Sequence, residues 1–323
     1  MPISKRAIAV LACLPPLAAY GQQRQVSGPV AGYVFDGAAL RPITGVMGGA
    51  TLGDALGLGL AASAAVVSPQ LDSAIATAKD GSLHLFQLSG LSATEVAWNS
   101  VPSRAQRVVY SPSGTAAAIY AAGRVQVVSG LPNAPVAAFT VELGSAPGKP
   151  ARQPASAAPE AMALSDDAAW LLVAGDGRLR LLGASGSSSV LLEPEARTVA
   201  VAFAPSGHAA AVLSGAGPWL DVYPDVAAAP ADRIAAPGLA EPAGLAFSAD
   251  GKLVLAAARD GRSVTIFDLA DGPTTLACAC APTGVARMGK LFRLTDAGAG
   301  PVWLVDTGVN PARIVFVPAR ANP

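Results

Sequence analysis

Little in this sequence is charged. Asp, Glu, Lys and Arg make up 14% of the 323 residues, and the two signs balance at 22 each. There is therefore no basic field to draw nucleic acid or anionic lipid, and no acidic excess to draw a basic partner. Histidine is nearly absent, with His84 and His208 the only two, which leaves little for a histidine metal site or a histidine general base. No stretch holds a helical period, and helix-favouring runs such as residues 226–229 stop at Pro230, so a helical bundle is excluded. Motifs that carry chemistry are missing too. There is no Gly-x-Ser-x-Gly elbow, no His-Glu-x-x-His pair, no phosphate-cradling Gly-x-x-x-x-Gly-Lys and no zinc spacing. The sequence nominates no catalytic residue, no metal ligand and no cofactor.

What is present is apolar residues, at 52%, interspersed with 34 Gly and 27 Pro. That mixture suits many short buried strands separated by turns. The first residues differ: Lys5 and Arg6 precede the apolar run 7–19, and Ala19-Tyr20-Gly21 supplies a small-x-small site before Gln22. This is the grammar of a secretory signal peptide, which places residues 1–21 in a leader and 22–323 in a single periplasmic or extracellular domain. Pro15-Pro16 breaks a run already short for a bilayer, and Cys13 sits too early, after a poor Val10-Leu11-Ala12 match, for lipoprotein processing. A second apolar stretch, 46–67, lacks Lys and Arg but holds Asp54 and five glycines, which reads as strands and a turn. No integral span is expected after signal removal.

Self-similarity organises the rest. Ser68, Ser111, Ser165, Ala204, Ser248 and the looser Leu294 mark six copies of one pattern, in which an apolar strand enters a turn such as Ser111-Pro112-Ser113-Gly114 or Ser248-Ala249-Asp250-Gly251. Pro fixes φ in such turns and Gly accepts the positive one. A strand of small residues follows, then in three copies an Asp-Gly turn: Asp80-Gly81, Asp176-Gly177 and Asp260-Gly261. A third strand alternates apolar with polar, as in Leu83-His84-Leu85 and Leu179-Arg180-Leu181. The copies recur about every 40 to 45 residues, the period of a four-stranded blade, except that Ser111 and Ser165 lie further apart. Sheets repeated at that period bury their second faces against one another when set radially around a channel. The expected fold is all-β, a β-propeller of six or seven four-stranded blades. The last copy ends on a third strand at 313–317, so residues 40–46 are expected to complete it and close the ring, with Ile43 facing the core. Whether the residues up to Val67 form a seventh blade stays open.

Leu245-Ala246-Phe247-Ser248-Ala249-Asp250-Gly251 followed by Val264-Thr265-Ile266-Phe267-Asp268-Leu269 resembles the WD40 and YVTN-type propeller repeats of exported bacterial proteins. The resemblance covers most of the chain after the leader, with this fifth copy the nearest. The Gly-His and Trp-Asp pairs of eukaryotic WD40 repeats are missing.

Few residues stand out as functional. Arg107, Arg197 and Arg287 each lie shortly before the strand that opens a copy. At one rim their guanidiniums would suit an anionic small molecule or a carboxylate-bearing peptide, although neighbouring acids such as Glu193, Glu195 and Glu241 could pair with them instead. His84 and His208 read as solvated or hydrogen-bonded, and Asp166-Asp167 as turn-forming. Cys278 and Cys280 read as two small, partly buried thiols on one strand face, with a strained redox pair the competing reading. The segment 143–160, with Pro147, Pro150, Pro154 and Pro159, reads as an inserted surface loop, with a recognition loop the alternative. The functional expectation is a non-enzymatic binding module contacting a protein, peptide or glycan through one propeller face. The competing readings are a metal-dependent, lactonase-like hydrolase and a structural part of an envelope complex.

Overall fold

The computed structural model describes residues 28–99, 101–143, 158–175, 177–192, 198–214, 219–228, 230–236, 238–239, 241–298 and 300–320. Every regular element among them is a strand. The strands form seven antiparallel sheets, each laid out in chain order. Blade 1 has three strands, Val30–Phe35, Leu40–Thr44 and Thr51–Leu52. Blades 2 to 7 have four each, and their first strands are Ala62–Val67, Arg107–Tyr110, Ala161–Leu164, Thr198–Phe203, Pro242–Phe247 and Ala286–Met288. These first strands are the inner ones of a seven-bladed β-propeller, touching their neighbours around the axis.

Seven apolar clusters fill the seven interfaces between blades. Tyr33 and Leu40 meet Ala74 and Phe86 between blades 1 and 2. Val34 and Ile43 meet Met288, Leu304 and Val317 between blades 7 and 1. The other five seams are filled alike. Radial sheets converge towards the axis, so side chains near it must be small. The second strands show this: Ser73–Ala78 reads SAIATA, Ala116–Ala121 reads AAAIYA and Leu253–Ala258 reads LVLAAA, each almost wholly buried. Gly244 marks the limit, because a Cβ there would come within 2.5 Å of the Val285 backbone nitrogen.

Five of the six aligned anchors occupy one structural place. The N–H groups of Ser68, Ser111, Ser165, Ala204 and Ser248 each donate, at 2.8 to 2.9 Å, to the carbonyl five residues on, closing the first hairpin of blades 2 to 6. The serine hydroxyl reinforces the turn: Ser165 Oγ accepts the Trp170 N–H at 3.0 Å and donates to Asp167 at 2.6 Å, and Ser248 does the same with Leu253 and Asp250. Gly114 stands at φ +77° against the Ser68 side chain, where a Cβ would be both strained and crowded.

The sixth anchor, Leu294, belongs to a different hairpin. The first strand of blade 7 is Ala286–Met288, Leu291–Arg293 is its second, and Arg313–Val317 is its fourth rather than its third. The slip has a physical cause. The loop after the second strand imitates the anchor turn, with Leu294 N–H donating to the Trp303 carbonyl at 2.8 Å and Trp303 N–H to Thr295 Oγ1 at 3.0 Å. Blade 7 therefore supplies all four of its strands, and the expected ladder between residues 40–46 and the last copy does not form. An N-terminal strand still closes the ring: Val30–Phe35 pairs only with Leu40–Thr44 in its own blade, and packs between the inner strands of blades 2 and 7. Ile43 is fully buried, as expected.

Candidate functional site

Because each blade meanders outward, its first-to-second and third-to-fourth turns lie at one end of the ring, the turn end. Its second-to-third turns and the links to the next blade lie at the other, the link end. At the turn end the blades are tied across the axis. The Gly289 N–H of blade 7 donates to the Pro69 carbonyl of blade 2 at 2.9 Å. Arg287 Nη2 donates to the Pro112 carbonyl of blade 3, which is separated from blade 7 by blades 1 and 2. Asp166 of blade 4 accepts the Ser113 N–H of blade 3 at 2.6 Å. Arg287 is 8% exposed. Burial pushes its guanidinium pKa down and the Asp166 charge pushes it up. Its Nη1 is buried with no hydrogen-bond partner among the described residues. Arg287 is thus a cross-axis tie that helps shut this end.

Arg107 opens its inner strand at the link end, the strand's far end from Pro112. It is half-buried, has no ion pair among the described residues, and burial lowers its pKa. Arg197 lies outside the described residues, as do residues 144–157 of the Pro-rich insertion and the leader 1–21. Arg107 and Arg287 are therefore not side by side at one rim. Arg287 lies within an inner strand, not before one, a consequence of the slip in the last copy.

The two histidines sit on separate blades, each hydrogen-bonded to a carboxylate. His208 of blade 5 lies 2.8 Å from Asp167 of blade 4, and its ring meets Trp170 edge-on at 6.2 Å. Burial alone would raise the Asp167 carboxyl, but bonds from His208, Ser165 and the Ala169 N–H carry it down to about 2. Asp167 thus shapes its turn, as expected of it, and ties blade 4 to blade 5 as well. Asp166 does more than turn, because it reaches the next hairpin.

The link end of blade 2 is concave. Leu83, His84, Leu85, Glu95, Val96, Ala97 and Trp98 line a cleft of about 420 Å³. His84 Nδ1 stands 2.7 Å from Glu95 Oε1, and His84 Nε2 stands 2.9 Å from Ser82 Oγ. Ser82 donates its Oγ–H at 2.6 Å and its N–H at 2.8 Å to Asp80 Oδ1, and these bonds hold the Asp80 carboxyl below its ordinary pKa. The Asp80-Gly81 turn aims this chain of groups. The hairpin at Gly90 pairs Phe86 with Glu95, which makes Glu95 a same-face diagonal neighbour of His84. Glu95 and Trp98 escaped sequence reasoning. The two residues between Ser89 and Ser92 were the signal that would have found Glu95, because they fix the register.

Cys278 and Cys280 form a disulfide, with both residues buried in the seam between blades 6 and 7. This overturns the expectation of two free thiols on one strand face. The last strand of blade 6 ends at Ala277, so the chain bends where the two cysteines were taken to be extended, and their Cα atoms stand 5.0 Å apart. Among the described residues no three His, Cys, Asp or Glu side chains converge as a metal site, and no helix is long and apolar enough to cross a membrane.

No family model and no curated protein sequence matches the chain. Solved structures similar in shape include the following three. A streptogramin B lyase shares 13% identity at a TM-score of 0.55, over 79% of this chain and 82% of that one. Apo AztD from Citrobacter koseri shares 10% at 0.55, over 89% and 95%. Kuenenia stuttgartiensis hydrazine synthase shares 14% at 0.51, over 92% and 99%. At such identities the likeness shows the fold and no more: by shape this chain is a β-propeller, a scaffold shared by proteins of different activities.

Proposed function

We propose that the protein is an exported, non-enzymatic binding propeller, and that it takes its ligand at the link end, in the cleft of blade 2. The observation that carries this reading is the cleft itself, where a paired His84 and Glu95 share one concavity with Trp98. Binding sites combine concavity, apolar and aromatic walls and a few convergent polar groups. At the turn end Arg287, Asp166 and Gly289 are engaged in tying the blades together. The inserted loop leaves blade 3 after Leu143 and returns to blade 4 at Ala161, so both its roots lie at the link end. The lactonase-like alternative would need a metal-holding donor set, and the described residues do not converge into one. Arg107, half-buried at the same end, would serve as a secondary contact.

The test is capture from native envelope extract with chain 22–323 as bait, beside the variants Trp98→Ala, Glu95→Gln and, as an exposed control at the turn end of blade 6, Lys252→Ala. A partner retained by the control and lost by both cleft variants is the expected result. Equal capture by all four proteins would overturn the assignment of the site.

A further inference from the structure

We infer that the cleft of blade 2 is built for an organic cation, an alkylammonium or the side chain of a lysine or arginine; this rests on the reading of the cleft as the binding site. Ser82 has one hydroxyl hydrogen and gives it to Asp80, so the bond between Ser82 and His84 must be donated by His84 Nε2. The contact between His84 Nδ1 and Glu95 also needs a hydrogen, whichever of the two atoms it sits closer to. The chain Asp80, Ser82, His84, Glu95 sets two carboxylates against one imidazole, so it carries negative charge whether the imidazole is neutral or protonated.

Both ring nitrogens of His84 are occupied, so the imidazole has no donor left. The second oxygen of Glu95 makes no bond among the described residues, and its side chain is 56% exposed. The free carboxylate oxygen in the cleft is thus an acceptor with negative charge behind it. Trp98 adds an aromatic face that favours cations, and the half-buried Val96 adds apolar lining. The nearby cations Lys79 and Arg104 are not among the lining residues.

The test is titration of the full ¹⁵N-labelled chain, following the indole N–H of Trp98, identified by its absence in Trp98→Phe. The probes are tetramethylammonium chloride, butylammonium chloride, sodium acetate and methyl glucoside at matched ionic strength. A saturable shift of the Trp98 signal with either ammonium, none with acetate or glucoside, and binding about tenfold weaker in Glu95→Gln is the expected result. The thermal melt of Glu95→Gln, unchanged from the parent, shows that the loss is local. A saturable shift with acetate or glucoside and none with the ammonium probes would overturn the cation assignment while leaving the cleft a binding site. No shift with any probe would overturn both.

Discussion

A single carboxylate shows how residue chemistry becomes stability here. Asp167 titrates at about 2 in the folded chain because His208, Ser165 and the Ala169 N–H all favour its charged form. A folded pKa below the unfolded one contributes stability that is present above the unfolded value, about 4, and is lost as the pH falls towards 2. Asp167 is half-exposed, so solvent screening reduces this contribution to on the order of 1 kcal/mol. Urea unfolding midpoints measured between pH 2 and pH 6 should therefore fall more steeply with acid for the parent than for Asp167→Asn. His208→Gln should narrow the same gap, whereas a parallel fall in all three proteins would show that the pair is not linked to folding.

The repeated element is the first hairpin, and its signal is a buried serine that closes the turn with its backbone N–H and its hydroxyl together. Ser165→Ala removes the acceptor for the Trp170 N–H and the donor to Asp167, and should cost about 1 to 2 kcal/mol in a chemical melt. Ala204 shows that the backbone bond alone suffices in blade 5, so Ser165→Ala should weaken blade 4 without preventing folding. A failure to fold would mean that the hydroxyl contributes more than a turn. This element was legible in the sequence because turn chemistry is local: Ser, Pro, Asp and Gly are chosen there by backbone conformation within a few residues. Where the same local chemistry recurred in the loop after Leu294, the reading slipped by one strand.

The molecule as a whole is held by seven seams, and the one between blades 7 and 1 has no sheet ladder across it. Packing joins the first blade to the last, through Val34 and Ile43 against Met288, Leu304 and Val317, with an ion pair between Arg320 and Asp54 at 2.9 Å beside it. Ile43→Asp would put an unpaired carboxylate into this seam and should destabilise the chain by more than about 4 kcal/mol. Its thermal melt should lose cooperativity. In the parent, the amides of Leu40–Thr44 should exchange as slowly as those of Ser263–Asp268, since both strands are buried within a closed ring. Rapid exchange of the former alone would mean that the ring opens at this seam.

The sequence by itself determined the period, the strand-turn-strand grammar and the burial of the small-residue strands, because all three follow from neighbours close in the chain. His84 and its polar strand face were visible for the same reason. What only the tertiary structure decided is what lies between distant residues. The seventh blade depends on how blade 7 counts its own strands. The cross-axis reach of Arg287 to Pro112 joins positions 175 residues apart. The disulfide depends on a bend after Ala277, and the cleft depends on the register of one hairpin and on Trp98 in the link that follows it. Turn chemistry acts over a few residues and can be read in one dimension, whereas ring closure arises where separate blades meet, and the cleft where one hairpin's register brings its strands and the following link together.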